Sequence, residues 1–302
     1  MARRLRILWT FLLTLGSVAA WTELELLGLG MLVHAQLQFV AAWALTLAWW
    51  CWKGGQLGRF VAAVGLVAHF GLYSQPFWAA APRATGPGQE LRAVWFNAWG
   101  SPSATEALHH AAVEKGADLV ALCQAGGAPV LRRLAADYPY QAYDHDDRIG
   151  LFSRVPIAEV EWLEGEPGHK PRERKWLRVV LEGGVEVWVG HAQHPDQTAH
   201  APTLTRIRAA AERAGPAVLF ADLNTTPWAA GFQSCLAAGW QSARAGQWPW
   251  RTWRDPSFPL LRWPIDHVLV RGGVGVTAFT VGSDLGSDHL PLWVDLVLPA
   301  LP

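Results

Sequence analysis

Three long apolar stretches with short polar breaks between them dominate the first 78 residues. They cover Ile7–Trp21, Leu37–Trp52 and Leu57–Trp78. A membrane-spanning helix needs about 20 mostly apolar residues, with a range of roughly 17–25, so each stretch is near the lower limit. Tryptophans lie near the stretch ends, as they do at membrane interfaces: Trp9, Trp21, Trp49, Trp50, Trp52 and Trp78. The pattern predicts a membrane anchor of about three helices over residues 1–78.

Two other interpretations of these stretches stay open. A signal peptide followed by a buried hairpin, or a soluble helical bundle, would also produce apolar stretches of this length. Glu23 and Glu25 interrupt the first stretch. Against a signal peptide, apolar sequence continues to residue 78 without a soluble segment after a convincing cleavage site.

The pattern changes after the segment QPFWAAAPRATGPGQE, whose Pro and Gly residues predict a linker over residues 79–90. Residues 91–302 then combine short apolar runs with helix-spaced segments. The predicted strands are Leu91–Phe96, Asp118–Leu122, Arg148–Phe152, Ile157–Trp162, Trp176–Leu181, Val185–Gly190, Ala217–Ala221, Ile265–Val270, Val274–Val281 and Leu290–Leu296. The predicted helices are Ala104–Lys115, capped by Ser103 and Glu106, then Val130–Asp137, Leu204–Ala214 and Pro227–Ala238. Hairpins mixed with strand–helix units predict an α/β sandwich.

Charge is balanced overall but unevenly distributed. The chain has 25 basic and 25 acidic residues among 302, and charged residues make up 17%, below the roughly 25% of a soluble domain. A zero net charge gives no sign of the broad attraction that nucleic-acid binders use. Three cysteines are too few for a disulfide framework or a cysteine-based zinc site.

The few basic residues of the anchor predict its orientation. Arg3, Arg4 and Arg6 precede the first stretch, and Lys53 and Arg59 lie between the second and the third. Positive charge favours the cytoplasmic side. Three spans would then place residues 79–302 outside the cytoplasm.

Small polar side chains collect at the ends of the predicted strands. In chain order they are Asn97, His191, Asp222, Asn224, Asp266, Asp288 and His289. Each one alone fits an ordinary turn. Residues at strand ends meet at one edge of an α/β sheet, so the set together predicts a site. Oxygen ligands from Asp and Asn suit a hard cation such as Mg²⁺, and His and Asp beside it suit phosphoester hydrolysis, with Asp266 fixing the tautomer of His289.

The ordered motifs resemble the endonuclease/exonuclease/phosphatase superfamily, which has the deoxyribonuclease-I-like fold. The matching strings are WFNAWG (95–100), ADLVALCQA (117–125), GLFSRVPI (150–157), VWVGHAQHP (187–195), LFADLNTTPW (219–228), PIDHVLV (264–270) and GSDHLPL (286–292). The resemblance covers residues 91–297 and implies a four-layer α/β sandwich. Apolar helices before such a domain resemble a bacterial membrane-anchored branch, which implies the cytoplasmic membrane with the soluble domain outside the cytoplasm.

The resemblance also implies roles for individual residues. His191 and His289 would contact the scissile phosphate from opposite sides, and Asp266 would support His289. Asp222 would orient or deprotonate the attacking water, and Asn224 would stabilise the transition state. Asp288, Gln124 and Asn97 would form the metal site, for Mg²⁺ or Mn²⁺.

One position departs from the family's pattern. The second-strand motif normally ends in Gln-Glu, and that Glu is the main metal ligand, whereas Gln124 stands there in this chain. A neutral amide oxygen can bind Mg²⁺ but lacks the attraction of a carboxylate. Asp144, Asp146 and Asp147 could supply a substitute carboxylate, or they form a solvated loop.

A segment rich in tryptophan and arginine, QWPWRTWRDPSFPLLRW (247–263), precedes the PIDHVLV motif. Its side chains could stack on bases, lie at a lipid interface, or simply cap the core of the sandwich.

The function expected from all this is a membrane-anchored, divalent-metal-dependent phosphoester hydrolase of the phosphodiesterase, nuclease or phosphatase type. The alternative is a weakened or inactive family member that binds a phosphorylated ligand or a protein partner. The expected partners are a lipid bilayer and a phosphoester substrate: a lipid, a small molecule or a nucleic acid.

Overall fold

Helices make up the N-terminal part of the computed structural model, which describes residues 2–23, 26–146, 148–163, 176–195, 200–213, 215–258 and 260–300. They are α1 (Ala2–Thr22), a 3₁₀ helix (Leu26–Ala35), α2 (Gln36–Lys53) and α3 (Gln56–Trp78). Among the described residues, three segments are long and apolar enough to cross a membrane: Arg3–Thr22, Gly30–Lys53 and Gln56–Trp78. Within the most apolar 18 residues of each segment, only 28%, 33% and 22% are buried, so most of these side chains face outward.

A small polar network holds the three helices together. The indole Nε1 of Trp43 donates to Ser17 Oγ at 3.1 Å, and the Nε2 of His69 lies 2.9 Å from the same oxygen. Gly65 lets α3 approach α2 closely, because a Cβ there would lie 2.4 Å from the Trp43 ring. The network thus joins α1, α2 and α3 around one buried indole.

The rest of the chain contains two six-stranded sheets that pack face to face. The first has the order β13-β14-β1-β2-β4-β3 and the second β5-β6-β7-β8-β12-β9, and β10 and β11 form a separate hairpin. The strands are β1 (Gly88–Asn97), β2 (Leu119–Cys123), β3 (Tyr140–Asp144), β4 (Ile149–Ser153), β5 (Ile157–Leu163), β6 (Trp176–Leu181), β7 (Glu186–His191), β8 (Ala217–Asp222), β9 (Gln241–Ser242), β10 (Trp253–Arg254), β11 (Arg262–Trp263), β12 (Asp266–Arg271), β13 (Gly275–Val281) and β14 (Leu292–Pro299).

Helices cover the outer face of each sheet. They are α4 (Pro102–Glu114) and α5 (Ala128–Asp137) on the first sheet, and α6 (His200–Ala211) and α7 (Ala230–Ala237) on the second. Along β1, Ala93 and Trp95 face the core between the sheets, whereas Val94 and Phe96 face the helices. A strand buried on both faces reads as a continuous apolar run. The four layers confirm the predicted α/β sandwich.

Several boundaries differ from the sequence prediction. Strand β3 was not predicted, because it is an edge strand whose residues are mostly exposed or partly buried. Ser101, rather than Ser103, caps α4 by accepting from the Ala104 N–H. Helix α7 begins at Ala230 instead of Pro227. Its first N–H is bonded at 2.5 Å by the carboxylate of Glu23, a residue far away in the sequence.

One end of the helical part contacts the sandwich. The 3₁₀ helix supplies two contacts: Trp228 Nε1 donates to the Val33 carbonyl at 2.6 Å, and His34 Nδ1 lies 3.0 Å from Thr226 Oγ1. At the end of α3, the ring of Phe77 stacks on Trp248 with centroids 4.8 Å apart. These contacts lie at the ends of α2 and α3 that are remote from Lys53 and Arg59.

Candidate active site

Three neighbouring strands of the second sheet place polar side chains in one row. His191 at the end of parallel β7 pairs in register with Asp222 at the end of β8, and Asp222 pairs with Asp266 at the start of antiparallel β12. Residues in register share one face of a sheet. Val218 and Phe220 point into the core between the sheets, so Asp222, two residues further on, points the same way. The row therefore lies at the edge of the space between the two sheets.

The first sheet faces this row with its own polar groups. Asn97 ends β1, and its Nδ2 donates to Asp222 Oδ2 at 3.0 Å. Its Oδ1 accepts from the Trp99 N–H at 3.0 Å, which fixes the orientation of the amide. Ser287 Oγ donates to the Asn97 carbonyl at 2.8 Å and accepts from the His289 N–H at 3.1 Å. The segment before β14 is thereby held against the end of β1.

His289 and Asp266 form a buried pair. The Nδ1 of His289 lies 2.8 Å from Asp266 Oδ2, so the carboxylate holds the ring with Nε2 directed at the row. The other carboxylate oxygen accepts from Trp95 Nε1 at 2.9 Å. Burial alone would lower the pKa of His289, but the charges of Asp266 and Asp222 outweigh it and raise that pKa to about 9. His289 is therefore a cation at neutral pH.

Asp222 is the centre of the cluster. Its Oδ2 lies 3.4 Å from His191 Nε2 and 3.7 Å from His289 Nε2. Burial and the nearby charge of Asp266 raise the pKa of Asp222 to about 7, against the opposing effect of His289. A carboxylate of this pKa accepts a proton readily near neutral pH.

Asn224 lies beside His191, two residues after Asp222. Its N–H donates to Asp222 Oδ1 at 2.9 Å, and its Nδ2 donates to the Ala192 carbonyl at 2.9 Å. The same Nδ2 lies 3.4 Å from His191 Nε2. The backbone adopts φ = 49°, a left-handed conformation that Asn tolerates better than most residues.

Asp288 lies at the border of the cluster. Its Oδ1 is 3.9 Å from His289 Nε2, and its Oδ2 accepts from Trp253 Nε1 at 3.0 Å. Its side chain is only 8% exposed. The carboxylate is therefore largely buried next to a protonated imidazole.

Gln124 lies at the carboxyl end of β2, beside the end of β1. The Cys123 carbonyl accepts from the Ala98 N–H at 3.0 Å, and the Gln124 carbonyl accepts from the Gly100 N–H. These bonds fix Gln124 next to the Asn97 loop, with its side chain half-buried and a φ of 48°. Among the described residues, the side-chain amide of Gln124 does not contact Asp222 or His289.

The suggested substitute carboxylates belong to the turn after β3. The Asp146 N–H bonds Asp144 Oδ1 at 2.9 Å, and Asp146 is exposed. The turn returns at Arg148, whose carbonyl accepts from Ala125, directly after Gln124. Asp147 lies outside the described residues.

The structure thus brings Asn97, His191, Asp222, Asn224, Asp266, Asp288 and His289 together and places Gln124 at the adjacent strand end. Sequence reasoning missed the roles of three neighbours. Trp95 binds Asp266, Trp253 binds Asp288, and Thr252 Oγ1 accepts from the Asp266 N–H at 3.0 Å. Trp95 was hidden inside an ordinary strand pattern, whereas the interleaved Trp and Arg residues of 247–263 were a visible signal for Trp253.

The donor chemistry of the cluster fits a divalent cation. Carboxylate oxygens of Asp222 and Asp266 lie within 4.8 Å of each other and of a ring nitrogen of His289, which as a protonated ring would not itself bind the cation. Burial, and after it repulsion by the charge of Asp266, raise the pKa of Asp222 to about 7. A hard cation bound by oxygens would relieve that repulsion, and Asp288, with Oδ1 3.9 Å from His289 Nε2, offers a further oxygen. Asn97 would have to rotate to contribute, because its Nδ2 rather than its Oδ1 is directed at Asp222.

Comparison with known proteins gives one family. The profile of the Endonuclease/Exonuclease/phosphatase family matches residues 94–289, about two thirds of the chain. This span contains every residue of the cluster described above. No curated protein matches the sequence at a significant level.

Solved structures share the fold of the sandwich. An endonuclease/exonuclease/phosphatase from Bacteroides vulgatus is 16% identical, with a TM-score of 0.54 over 70% of this chain and 100% of that chain. An AP endonuclease from Archaeoglobus fulgidus is 15% identical, with a TM-score of 0.54 over 68% and 98%. Sphingomyelinase C from Streptomyces griseocarneus is 20% identical, with a TM-score of 0.51 over 68% and 99%. At these identities the likeness concerns the fold alone.

Proposed function

The chain belongs to the endonuclease/exonuclease/phosphatase family, and from that premise we propose that it is a membrane-anchored, divalent-metal-dependent phosphoester hydrolase. The observation that carries this proposal is the convergence of two imidazoles on one buried carboxylate. His191 and His289 direct Nε2 at Asp222 Oδ2 from different sheets, at 3.4 and 3.7 Å. A phosphoryl group placed between them would meet a donor on each side.

The roles of the protein groups follow from their charge states. His289, with a pKa of about 9, is protonated at neutral pH and would bind a phosphate oxygen as a cation. Asp222, with a pKa of about 7, would accept the proton of the attacking water once it is ionised. Asn224 would donate from its amide to the oxygens of the transition state, next to His191.

A divalent cation would supply Lewis-acid polarisation of the phosphoryl oxygen and neutralise its charge. Asp288 and Gln124 would hold it, with Asn97 joining after rotation of its amide. Three carboxylates crowd this site, namely Asp222, Asp266 and Asp288. A negatively charged phosphodiester would be repelled by them without a compensating cation.

The membrane location is supported by the surface of the helices. Large apolar side chains on α1 are about half exposed: Leu5, Ile7, Leu8, Phe11, Leu12 and Leu15. Exposing such a stripe to water is costly, whereas lipid accommodates it. With Lys53 and Arg59 on the cytoplasmic side, the sandwich at the opposite helix ends would lie outside the cytoplasm.

The second candidate function is a catalytically weakened domain that binds a phosphorylated ligand or a protein partner. Gln124 favours it, because the amide takes a full negative charge away from the expected metal site.

The variant Gln124→Glu distinguishes the two candidate functions. The full chain in detergent would be assayed on bis(p-nitrophenyl) phosphate while Mg²⁺ is titrated. We expect Gln124→Glu to lower the Mg²⁺ concentration for half-maximal rate by about tenfold or more, equivalent to ~1.4 kcal/mol. Gln89→Glu is the matched control, because Gln89 is exposed at the other end of β1, ~26 Å from Asn97.

Two further variants check that the activity arises at this site. Asp222→Asn and His289→Ala should each abolish hydrolysis. If neither the wild type nor Gln124→Glu hydrolyses any phosphoester offered, the binding function is the better explanation. Strong wild-type activity at low Mg²⁺, unchanged by Gln124→Glu, would assign the ligand to another carboxylate.

A further inference from the structure

We propose that the substrate is a phosphoester lipid of the bilayer itself. We also propose that residues 247–258 and 260–263, here called the tryptophan loop, lie at the extracytoplasmic surface of that bilayer and lead the lipid phosphate to the site. The inference rests on the proposed function for its chemistry. Its geometric support comes from contacts that join this loop to the cluster and to the membrane helices.

The tryptophan loop is attached to the cluster at several points. Trp253 donates to Asp288, and its backbone forms an isolated bridge with His289. Thr252 accepts from the N–H groups of Ile265 and Asp266 at 3.1 and 3.0 Å. The loop therefore forms one wall of the site.

The same loop is attached to the outer end of the membrane helices. Gln38 Nε2 donates to the Leu260 carbonyl at 2.9 Å. The ring of His34 lies 5.7 Å from that of Trp263, which in turn stacks on Trp253 at 5.4 Å. A continuous series of contacts thus runs from the 3₁₀ helix to Asp288.

The contact with Gln38 fixes the depth of the loop. Helix α2 has 18 residues and is ~27 Å long, close to the ~30 Å thickness of the hydrocarbon core. Lys53 ends α2 on the side remote from the sandwich. Val33 and His34, before α2, already contact Trp228 and Thr226 of the sandwich. The hydrocarbon core is therefore crossed by α2 itself, which puts Gln38 in its first turn near the headgroups, with Leu260 at the same level.

Apolar side chains of the loop are exposed at that level. Leu260 is 85% exposed, and Trp250 and Phe258 are each 65% exposed. They are the three most exposed large apolar side chains among the described residues after 90. Aromatic and aliphatic side chains at a membrane boundary bury this surface in the interface.

Positive charge in the loop suits the headgroups. Arg254 and Arg262 pair in register on the hairpin of β10 and β11. Burial and the charges of these two residues lower the pKa of Arg251. Arg254 pairs with Asp284 at 3.0 Å, and the loop carries three Arg against one acidic residue, Asp255, so its own net charge is positive. Guanidinium groups bind phosphate oxygens strongly. Nucleic acid would also be attracted, but it would make no use of Leu260 and Phe258 at the bilayer boundary.

Hydrolysis of such a lipid needs no further reactant. Water adds its oxygen to phosphorus, and the P–O bond to one alcohol breaks. One proton of the water goes to Asp222 and is released from there to solvent, and the departing alcohol oxygen takes up one proton from solvent.

The depth of the loop is tested first, without any activity. Leu260→Cys on a Cys51→Ser background would be labelled with nitrobenzoxadiazole, since Cys123 and Cys235 are buried. The full chain would be reconstituted in phosphatidylcholine vesicles that contain lipids with a nitroxide near the headgroup. The label should be quenched, whereas the matched label at Val160→Cys, on the edge strand β5, should not. Equal quenching at the two positions would overturn the proposed depth.

The substrate class is tested with the full chain in nanodiscs of phosphatidylethanolamine and phosphatidylglycerol. Rates would be compared on the nanodisc lipid, bis(p-nitrophenyl) phosphate and a DNA oligonucleotide. We expect Leu260→Asp to lower the ratio of the lipid rate to the diester rate by about tenfold, as loss of one buried leucine would. Val160→Asp should not change this ratio.

The outcomes distinguish failure of the lipid substrate from failure of the proposed function. Hydrolysis of the diester without hydrolysis of lipid would overturn the lipid substrate and leave the proposed function standing. Preference for DNA over lipid would do the same. Hydrolysis of none of the three would overturn the proposed function, and the lipid substrate with it.

Discussion

Asp266→Asn is the sharpest perturbation of the site, because it removes one charge and changes the shape of the side chain little. Asp266 and His289 are both buried, and the carboxylate lies 2.8 Å from Nδ1. The pKa of His289 rises from 6.5 to about 9, chiefly because the charges of Asp266 and Asp222 overcome the effect of burial. That rise corresponds to ~3 kcal/mol in favour of the imidazolium.

The variant should lose most of this preference. Burial would then dominate, and we expect the pKa of His289 to fall below 7, so that the ring is neutral at pH 7.5. The hydrolysis rate at that pH should fall by about 100-fold or more. The pair also contributes to stability: because the folded-state pKa is raised, the contribution is complete below about pH 6.5 and lost as pH rises through about 9.

Two measurements check this reasoning on the full chain. Titration of the His289 ring by NMR gives its pKa directly, and a pH–rate profile on a soluble diester gives the consequence. Asp295→Asn is the matched control, since Asp295 lies on β14 and pairs with Arg92 at 2.7 Å near the surface. A His289 pKa that stays near 9 in Asp266→Asn would refute the assignment of Asp266 as its main partner.

Three other predictions concern separate parts of the chain. The wild-type rate should rise as pH increases through about 7, where Asp222 ionises, and the Asp222→Asn profile should be flat and low. Burial lowers the pKa of His267 to about 4, so its contribution to stability is present above pH 6.5 and lost as pH falls toward 4. His267→Gln should therefore reduce the loss of thermal stability between pH 7 and pH 5. An alkaline phosphatase fused after Pro302 should be active only if it is exported, and activity of a cytoplasm-only reporter there would contradict the proposed topology.

The strands that carry the site could be predicted because they are buried on both faces. Residues 217–221 and 268–270 are purely apolar, and the polar residues next to them stand out. Positions of Asp222 and Asp266 at those ends follow from the sequence alone. Their pairing in register does not, because the order of strands in a sheet depends on contacts between distant segments.

The contacts that support the site residues could not be predicted from the sequence for the same reason. Trp95 reads as one more apolar residue of β1, yet its indole binds a carboxylate 171 positions later. Likewise, nothing local indicates that Glu23 bonds the start of α7 or that His34 contacts Thr226. Edge strand β3 was missed because its residues bury too little surface to produce a pattern.

The effect of Gln124 on cation binding depends on both its residue type and the charges around it. The substitution removes one carboxylate from the expected metal site, and by residue type alone this favours an inactive domain. The environment retains three: Asp222 and Asp266 with ligand atoms in one cluster, and Asp288 3.9 Å from His289. His289 supplies one positive charge against these three carboxylates, and repulsion by Asp266 adds to the effect of burial in raising the pKa of Asp222. Loss of the carboxylate at position 124 therefore lowers the affinity for a cation but leaves the attraction in place, which is why a shift in Mg²⁺ dependence, rather than its absence, is the expected result.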